Sequence, residues 1–200
     1  MALTDKLKAI ADAIRSKTGD TAEMTLDEMP EKIAAIDKDS ETALIGIITR
    51  TETAPLLPES LTSIGGQAFY NWQNLALTEL PDNVESIGNG AFYSCSKLDL
   101  KKLPRNLTTI DVQAFYLCET LRLTELPDKV MSIKSNAFAL CIGLTELTFT
   151  TTPNTIASTA FSGCANLTTI NVPWSEGAVA NAPWGATNAT INYGYTSKEA

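Results

Sequence analysis

The chain has 200 residues, of which 44% are hydrophobic and 19% charged, a composition typical of a globular protein rather than a disordered one. Its net charge of −8 disfavours binding to nucleic acid, because the phosphate backbone is itself negative. Histidine is absent, which excludes Ser-His-Asp and Cys-His nucleophilic sites and histidine metal sites. No apolar run reaches the roughly 18 residues of a membrane span, so we expect no membrane insertion.

Residues 1–38 are predicted to form a pair of amphipathic helices. Apolar residues recur on one helical face over residues 3–17, and Gly19 ends that pattern. A second helix is expected from Leu26 to Ile36. The pair has two interpretations that stay open here: a cap that shields the first coil of the following domain, or a docking or oligomerisation module. Two short amphipathic helices are rarely stable alone, and in both interpretations they pack against another surface.

Residues 39–56 are predicted to contain a linker and the first strand. The segment DKDSE at 37–41 is polar, and TALIGIIT at 42–49 has the composition of a strand. The initial segment, MALTDKLKAIADAIRSK, has charges among its apolar positions and lacks the apolar core of a secretory signal. We therefore expect synthesis in the cytoplasm without a signal peptide.

A strict internal repeat of 23 residues occupies residues 57–173. Several columns keep this period together, which chance does not explain. The clearest is an Ala-Phe pair, at Ala68-Phe69, Ala91-Phe92, Ala114-Phe115, Ala137-Phe138 and Ala160-Phe161. One unit cannot bury its apolar residues alone, so the period predicts five stacked coils in an α+β repeat solenoid, flanked by the helical pair and a C-terminal cap.

Two features of the repeat lead to structural predictions. The recurrent phenylalanines are expected to point inward and to line up in a single row. In the fourth unit the middle apolar residue moves by one position, to Leu147, and such a shift changes which side chains face the core. We therefore expect a change of twist or strand pairing near Leu144.

The unit pattern LPxxVxxIGxxAFxxCxxL resembles the BspA-like leucine-rich repeat family, over about residues 57–173. Members of that family are typically bacterial or protozoan surface and adhesion proteins without enzymatic activity. The resemblance implies a leucine-rich repeat solenoid that binds a protein or a cell-surface glycan.

The four cysteines occupy one repeat position, at Cys95, Cys118, Cys141 and Cys164. Stacked equivalents point the same way about 4.8 Å apart, whereas disulfides need converging Cβ atoms. We predict buried thiols rather than disulfides or a metal site. No catalytic, cofactor-binding or metal-ligating residue is assigned anywhere in the sequence.

Aromatic residues are the candidates for partner binding. Tyr70, Tyr93 and Tyr116 form a second ladder that either packs between coils or faces a sugar or protein. The segment 174–200 is aromatic and poor in charge, and is expected to cap the last coil or to form a contact patch. The candidate positions are Tyr70, Trp72, Tyr93, Tyr116, Trp174 and Trp184.

Both flanks are similar to tail and baseplate structural proteins of phages that infect Gram-positive gut bacteria. The similarity covers ADAIRSKTGDTAEMTLDEMPEKIAAI and the closing segment INVPWSEGAVANAPWGATNATINYGY. It implies a virion protein whose helices contact other virion proteins and whose solenoid recognises the host. The alternative is a bacterial cell-surface adhesin or interaction module of the same repeat family. By analogy with phage attachment proteins a homo-oligomer stays open, although no heptad seam supports one.

Overall fold

The computed structural model of the chain describes residues 53–55, 57 and 59–196. Over these residues the chain is a parallel β-solenoid built from short strands and turns, and no helix occurs in this part. The α component of the predicted α+β class is therefore not found here. The predicted helical pair at 1–38 and the strand at 42–49 lie outside the described residues.

The first sheet runs along one side of the solenoid and contains one two-residue strand from each of five coils. Every strand pairs in parallel with the next at a step of 23 residues, as in Ser63 with Ser86 and Ile64 with Ile87. The isoleucine of each strand is buried and the serine or threonine faces outward. The strands are β1 (Ser63–Ile64), β2 (Ser86–Ile87), β3 (Thr109–Ile110), β5 (Ser132–Ile133) and β7 (Thr155–Ile156).

The second sheet begins only in the third coil. Its strands, in spatial order, are β4 (Glu125–Leu126), β6 (Glu146–Phe149), β8 (Thr169–Val172) and β9 (Thr190–Tyr193). The expected change of strand pairing near Leu144 is thus present. In β6 the buried residues are Leu147 and Phe149, two positions apart, which is the period of a strand. Earlier units bury residues three positions apart instead, such as Leu77 and Leu80.

The turn that carries Ala-Phe forms a third ladder between coils. The backbone N–H groups of Gln67, Phe69 and Asn71 donate to carbonyl oxygens of the next coil at 2.8, 2.8 and 2.7 Å. Each of the first four turns contains two residues with left-handed backbone, mostly Gly, Asn, Gln or Ser, whereas at the same positions of the fifth turn Gly163 alone is left-handed. Leu117 and Leu140 also adopt positive φ values, 58° and 61°.

The core lies between these ladders and follows the repeat columns. The five phenylalanines form one row, with ring centroids 5.1–5.4 Å apart and planes within 6° of parallel, so that prediction is confirmed. Four of them are fully buried and Phe69, in the first coil, is half-buried. The leucine, isoleucine, alanine and cysteine columns pack around this row.

The C-terminal segment both caps and extends the solenoid, an extension that the repeat count missed. Trp184 accepts a backbone hydrogen bond from Phe161 N–H at 2.9 Å, and β9 pairs with β8 in parallel. The register joins Thr169 to Thr190, a step of 21 residues rather than 23. The segment from about 181 to 193 is therefore a shortened coil laid on the fifth.

Candidate recognition surface

Tyr70, Tyr93 and Tyr116 form a stack beside the phenylalanine row. Each tyrosine follows an inward phenylalanine, so it lies on the outer side of the turn. Neighbouring ring centroids are 4.7 Å apart, and the planes meet at 17° and 13°. The inter-coil bond from Asn71 N–H to Tyr93 O, at 2.7 Å, fixes this spacing in the backbone. The ladder predicted from the sequence is therefore a continuous three-ring stack.

Along its length the stack presents ring edges and phenol hydroxyls, because the faces between neighbouring rings are covered. Both faces of Tyr93 are covered by its neighbours, while Tyr70 at the end of the row is 39% exposed. Burial, followed by the nearby phenols of Tyr116 and Tyr70, raises the pKa of Tyr93. The hydroxyl stays protonated near neutral pH, so it can both donate and accept a hydrogen bond.

The three candidate tryptophans are placed differently from the tyrosines. Trp72 and Trp174 are 4% and 6% exposed, and Trp184 is fully buried. Trp174 packs edge-on against Phe149 at 5.3 Å, and the Trp184 indole N–H donates to Ala180 O at 2.7 Å. Among the described residues the indole N–H groups of Trp72 and Trp174 have no hydrogen-bond partner. These rings pack the two ends of the core and expose almost no surface to a partner.

The cysteine column consists of thiols, as predicted. Each Sγ–H donates to a phenylalanine carbonyl 26 residues earlier at 3.0–3.1 Å. Burial raises the pKa of Cys164 to about 11, and it raises the pKa of Cys118 and Cys141 well above the ordinary value. Thiols in this state are poor nucleophiles and metal ligands, because both reactions use the thiolate.

The part of the chain that the structure describes contains no cluster of three His, Cys, Asp or Glu side chains able to hold a metal ion. Over the same residues no helix is long and apolar enough to cross a bilayer. On neighbouring strands of the first sheet, Ser132 Oγ and Thr155 Oγ1 are hydrogen-bonded to each other at 3.1 Å.

A charged depression of about 500 Å³ lies where the second sheet begins. Lys101, Lys102 and Arg105 line one part of it, and Glu125 and Asp128 line another. Arg105 also forms an exposed ion pair with Asp82 at 2.7 Å. Because both signs of charge meet in this depression, it indicates no single class of ligand.

A stacked parallel solenoid with exposed aromatic and charged side chains defines the class as a leucine-rich repeat binding module. The chain belongs to the BspA-type leucine-rich repeat family, whose model matches residues 53–168 in six copies. Repeats of this family form protein-interaction modules and are typically non-catalytic. No curated protein matches this chain.

Solved structures of bacterial leucine-rich repeat proteins share the architecture. A leucine-rich repeat protein from Bacteroides ovatus is 31% identical with a TM-score of 0.54, covering 62% of this chain and 32% of that protein. The T. pallidum leucine-rich repeat protein is 25% identical to this chain, with a TM-score of 0.53. The match covers 72% of this chain and 70% of the T. pallidum protein. This chain thus spans about a third of the Bacteroides ovatus protein.

Proposed function

We propose that this chain is a recognition module whose tyrosine stack, formed by Tyr70, Tyr93 and Tyr116, binds a protein or a cell-surface glycan. The single observation that carries the proposal is the row of phenols spaced at the repeat distance. A packing role alone would be met by phenylalanine, whereas tyrosine adds an amphipathic group of the kind enriched at interfaces.

The ladder is also rigid before any ligand arrives. Backbone hydrogen bonds between coils and the stacked phenylalanine row beside the tyrosines hold all three rings in place. A surface already ordered loses little side-chain entropy on binding, which favours affinity. Multiple equally spaced hydroxyls suit a ligand that runs along the solenoid and repeats its own polar groups.

The triple substitution Tyr70→Phe, Tyr93→Phe and Tyr116→Phe tests this role, because it removes the hydroxyls and keeps the rings. Binding of the labelled chain to a panel of intact Gram-positive gut bacteria is measured by flow cytometry. At about 1 kcal/mol for each hydrogen bond, we expect at least a roughly tenfold loss of affinity. Tyr195→Phe is the matched control, since Tyr195 is 39% exposed but outside the ladder. Equal loss in the control, or none in the triple variant, would contradict the proposal.

We further propose that the module works in the tail or baseplate of a phage or prophage. The support is the similarity of both flanking segments to tail and baseplate proteins. In this role the helices predicted at 1–38 attach to other virion proteins, and the chain reaches the virion from the bacterial cytoplasm. Mass spectrometry of virions purified after prophage induction should find the protein, and its absence would contradict this assignment.

The alternative is a bacterial cell-surface adhesin or interaction module, which the membership of the BspA-type family favours. The two roles differ in where the protein accumulates without phage induction. Detection of the chain on the surface of uninduced cells, by antibody labelling of intact cells, would support the adhesin and count against the virion protein.

A further inference from the structure

Strand β9 is the last strand of the second sheet and pairs on one side only, with β8. Proteins usually protect such an edge with a lysine, a proline or a bulge, because its open backbone groups can pair with another chain. The segment Thr190–Tyr193 contains no charge and no proline, and residues 177–197 contain no charged side chain. Within the described part of the chain, no strand covers this edge.

The outward face of the same edge carries an amide ladder. Asn171 is 2% exposed, and its side-chain amide donates to Glu146 Oε1 at 2.8 Å and to Thr148 Oγ1 at 3.2 Å. The exposed Asn192 extends the ladder by donating to Asn171 Oδ1 at 2.8 Å. An asparagine amide both donates and accepts, so the end of this ladder is complementary to a second copy of itself.

The opposite face of the edge is apolar. Ile191 and Tyr193 alternate with Asn192 along the strand, and both are half-buried against the core. They border an open groove of about 440 Å³ together with residues of the segment 176–183. A strand that fits this edge needs an amide on one face and apolar side chains on the other, which is the pattern of β9 itself.

We propose that two copies of this chain associate by antiparallel pairing of their β9 strands, around a two-fold axis at Asn192. Side chains alternate between faces with a period of two. An axis at Asn192 therefore places Asn192 opposite Asn192 on the polar face and Ile191 opposite Tyr193 on the apolar face.

The distribution of charge favours a second copy at this end. The chain carries −8 overall, so two copies repel each other on average. From residue 135 to residue 197 the only charged side chains are Glu146 and Glu176. Pairing through β9 thus joins the ends where like-charge repulsion is weakest. This contact is independent of the tyrosine stack and of its ligand.

Disulfide trapping of Asn192→Cys tests the register. Directly opposite residues have Cα atoms about 4.5–5.5 Å apart, within disulfide range. Oxidised glutathione should convert the full-length variant to a covalent dimer, and the four native cysteines are buried. Thr190→Cys is the matched control, because its two copies lie roughly 13 Å apart in this register. A Thr190→Cys variant that links as well as Asn192→Cys, or no linkage in Asn192→Cys, overturns the proposal.

Sedimentation velocity of the unmodified full chain provides the second measurement. We expect a monomer–dimer equilibrium that Ile191→Lys weakens at least tenfold, because each lysine places a charge opposite Tyr193 of the other copy on the apolar face. Asn188→Lys, on the same shortened coil but before the strand, should leave the equilibrium within twofold of the wild type. Circular dichroism checks that both variants fold. A chain that stays monomeric at every concentration, or a dimer that Ile191→Lys leaves unchanged, overturns the proposal.

Discussion

At the scale of single residues, burial determines the chemistry of Cys118, Cys141 and Cys164, because it raises the pKa of their thiols. Desolvation raises the pKa of Cys164 from an ordinary value of 9.0 to about 11. Its thiol also donates a hydrogen bond to Phe138 O at 3.0 Å. This bond satisfies a carbonyl that lies inside the coil. Cysteine in this column therefore fills space as a small apolar residue and supplies one weak donor.

This shift predicts a loss of stability in alkaline solution. Below pH 9.0 the Cys164 thiol is protonated in both the folded and the unfolded chain, so its contribution is complete. Between that value and about 11 the unfolded chain loses the proton while the folded chain keeps it, which favours unfolding. Urea denaturation at about pH 10 should show roughly 1 kcal/mol lost at this residue relative to about pH 8.

Cys164→Ala is the control for this effect, because it removes the thiol and leaves every tyrosine and lysine in place. Its free energy of unfolding should fall less than that of the wild type over the same pH interval. An identical fall in both proteins would show that other groups cause the alkaline loss.

At the scale of elements, the phenylalanine row is an apolar contact that runs through all five coils. Phe115 stacks on Phe92 and Phe138 at 5.3 and 5.2 Å and is fully buried. Phe69 has one neighbour in the row and is half-buried. The energetic weight of a phenylalanine should therefore depend on its place in the row.

Phe115→Ala should cost about 3–5 kcal/mol of the free energy of unfolding, because it removes a buried ring and leaves a cavity between two others. Phe69→Ala should cost clearly less, since part of that ring is already in contact with water. Equilibrium urea denaturation of both variants checks the order. Equal costs would mean that the row does not act as a continuous core.

The sequence period predicts those elements whose environment repeats without change. Strand partners such as Ser63 and Ser86 differ by 23 residues, the same step as the Ala-Phe pairs. The 21-residue step at β9 escapes this reasoning, because the last coil keeps no Ala-Phe marker. The second sheet begins only at Glu125, and this start depends on backbone geometry. The side chains of the earlier units therefore do not predict it.

Part of the candidate site was likewise predictable from the sequence, and part of it was not. The tyrosine ladder was predictable, because Tyr70, Tyr93 and Tyr116 occupy one column and neighbouring coils fix their spacing. The placement of Trp174 and Trp184 was left between a cap and a contact patch. The deciding fact is their burial against Phe149, which depends on how residues 174–186 fold back over the last coil.

At the scale of the whole molecule, each coil contacts only its neighbours, so the ends limit stability. The segment 174–186 closes the C-terminal end, and its residues Val179 and Trp184 are buried in the core. Gly177 and Gly185 in this region adopt left-handed backbone, with φ values of 84° and 88°. Their surroundings differ, because a Cβ on Gly185 would lie 2.9 Å from Ser162 N, whereas Gly177 has nothing within 4 Å.

Alanine substitutions at these two glycines distinguish the cost of backbone strain from the cost of displacing the shortened coil. Gly177→Ala should cost about 1 kcal/mol, the price of a left-handed alanine. Gly185→Ala should cost roughly 2–4 kcal/mol, because the added methyl must also push the closing coil away from Ser162. Tryptophan fluorescence during urea unfolding measures both, and a red-shifted native spectrum is expected for Gly185→Ala only. Equal costs would show that the clash is absorbed without opening the end.

The uniform 23-residue step has a consequence for how such a gene changes over generations. Since equivalent residues of neighbouring coils stack on one another, unequal recombination between repeats would insert or delete whole coils and keep the shortened coil at the C-terminal end. Lineages could thereby lengthen or shorten the phenol row in fixed increments, altering reach and valency without redesigning the termini.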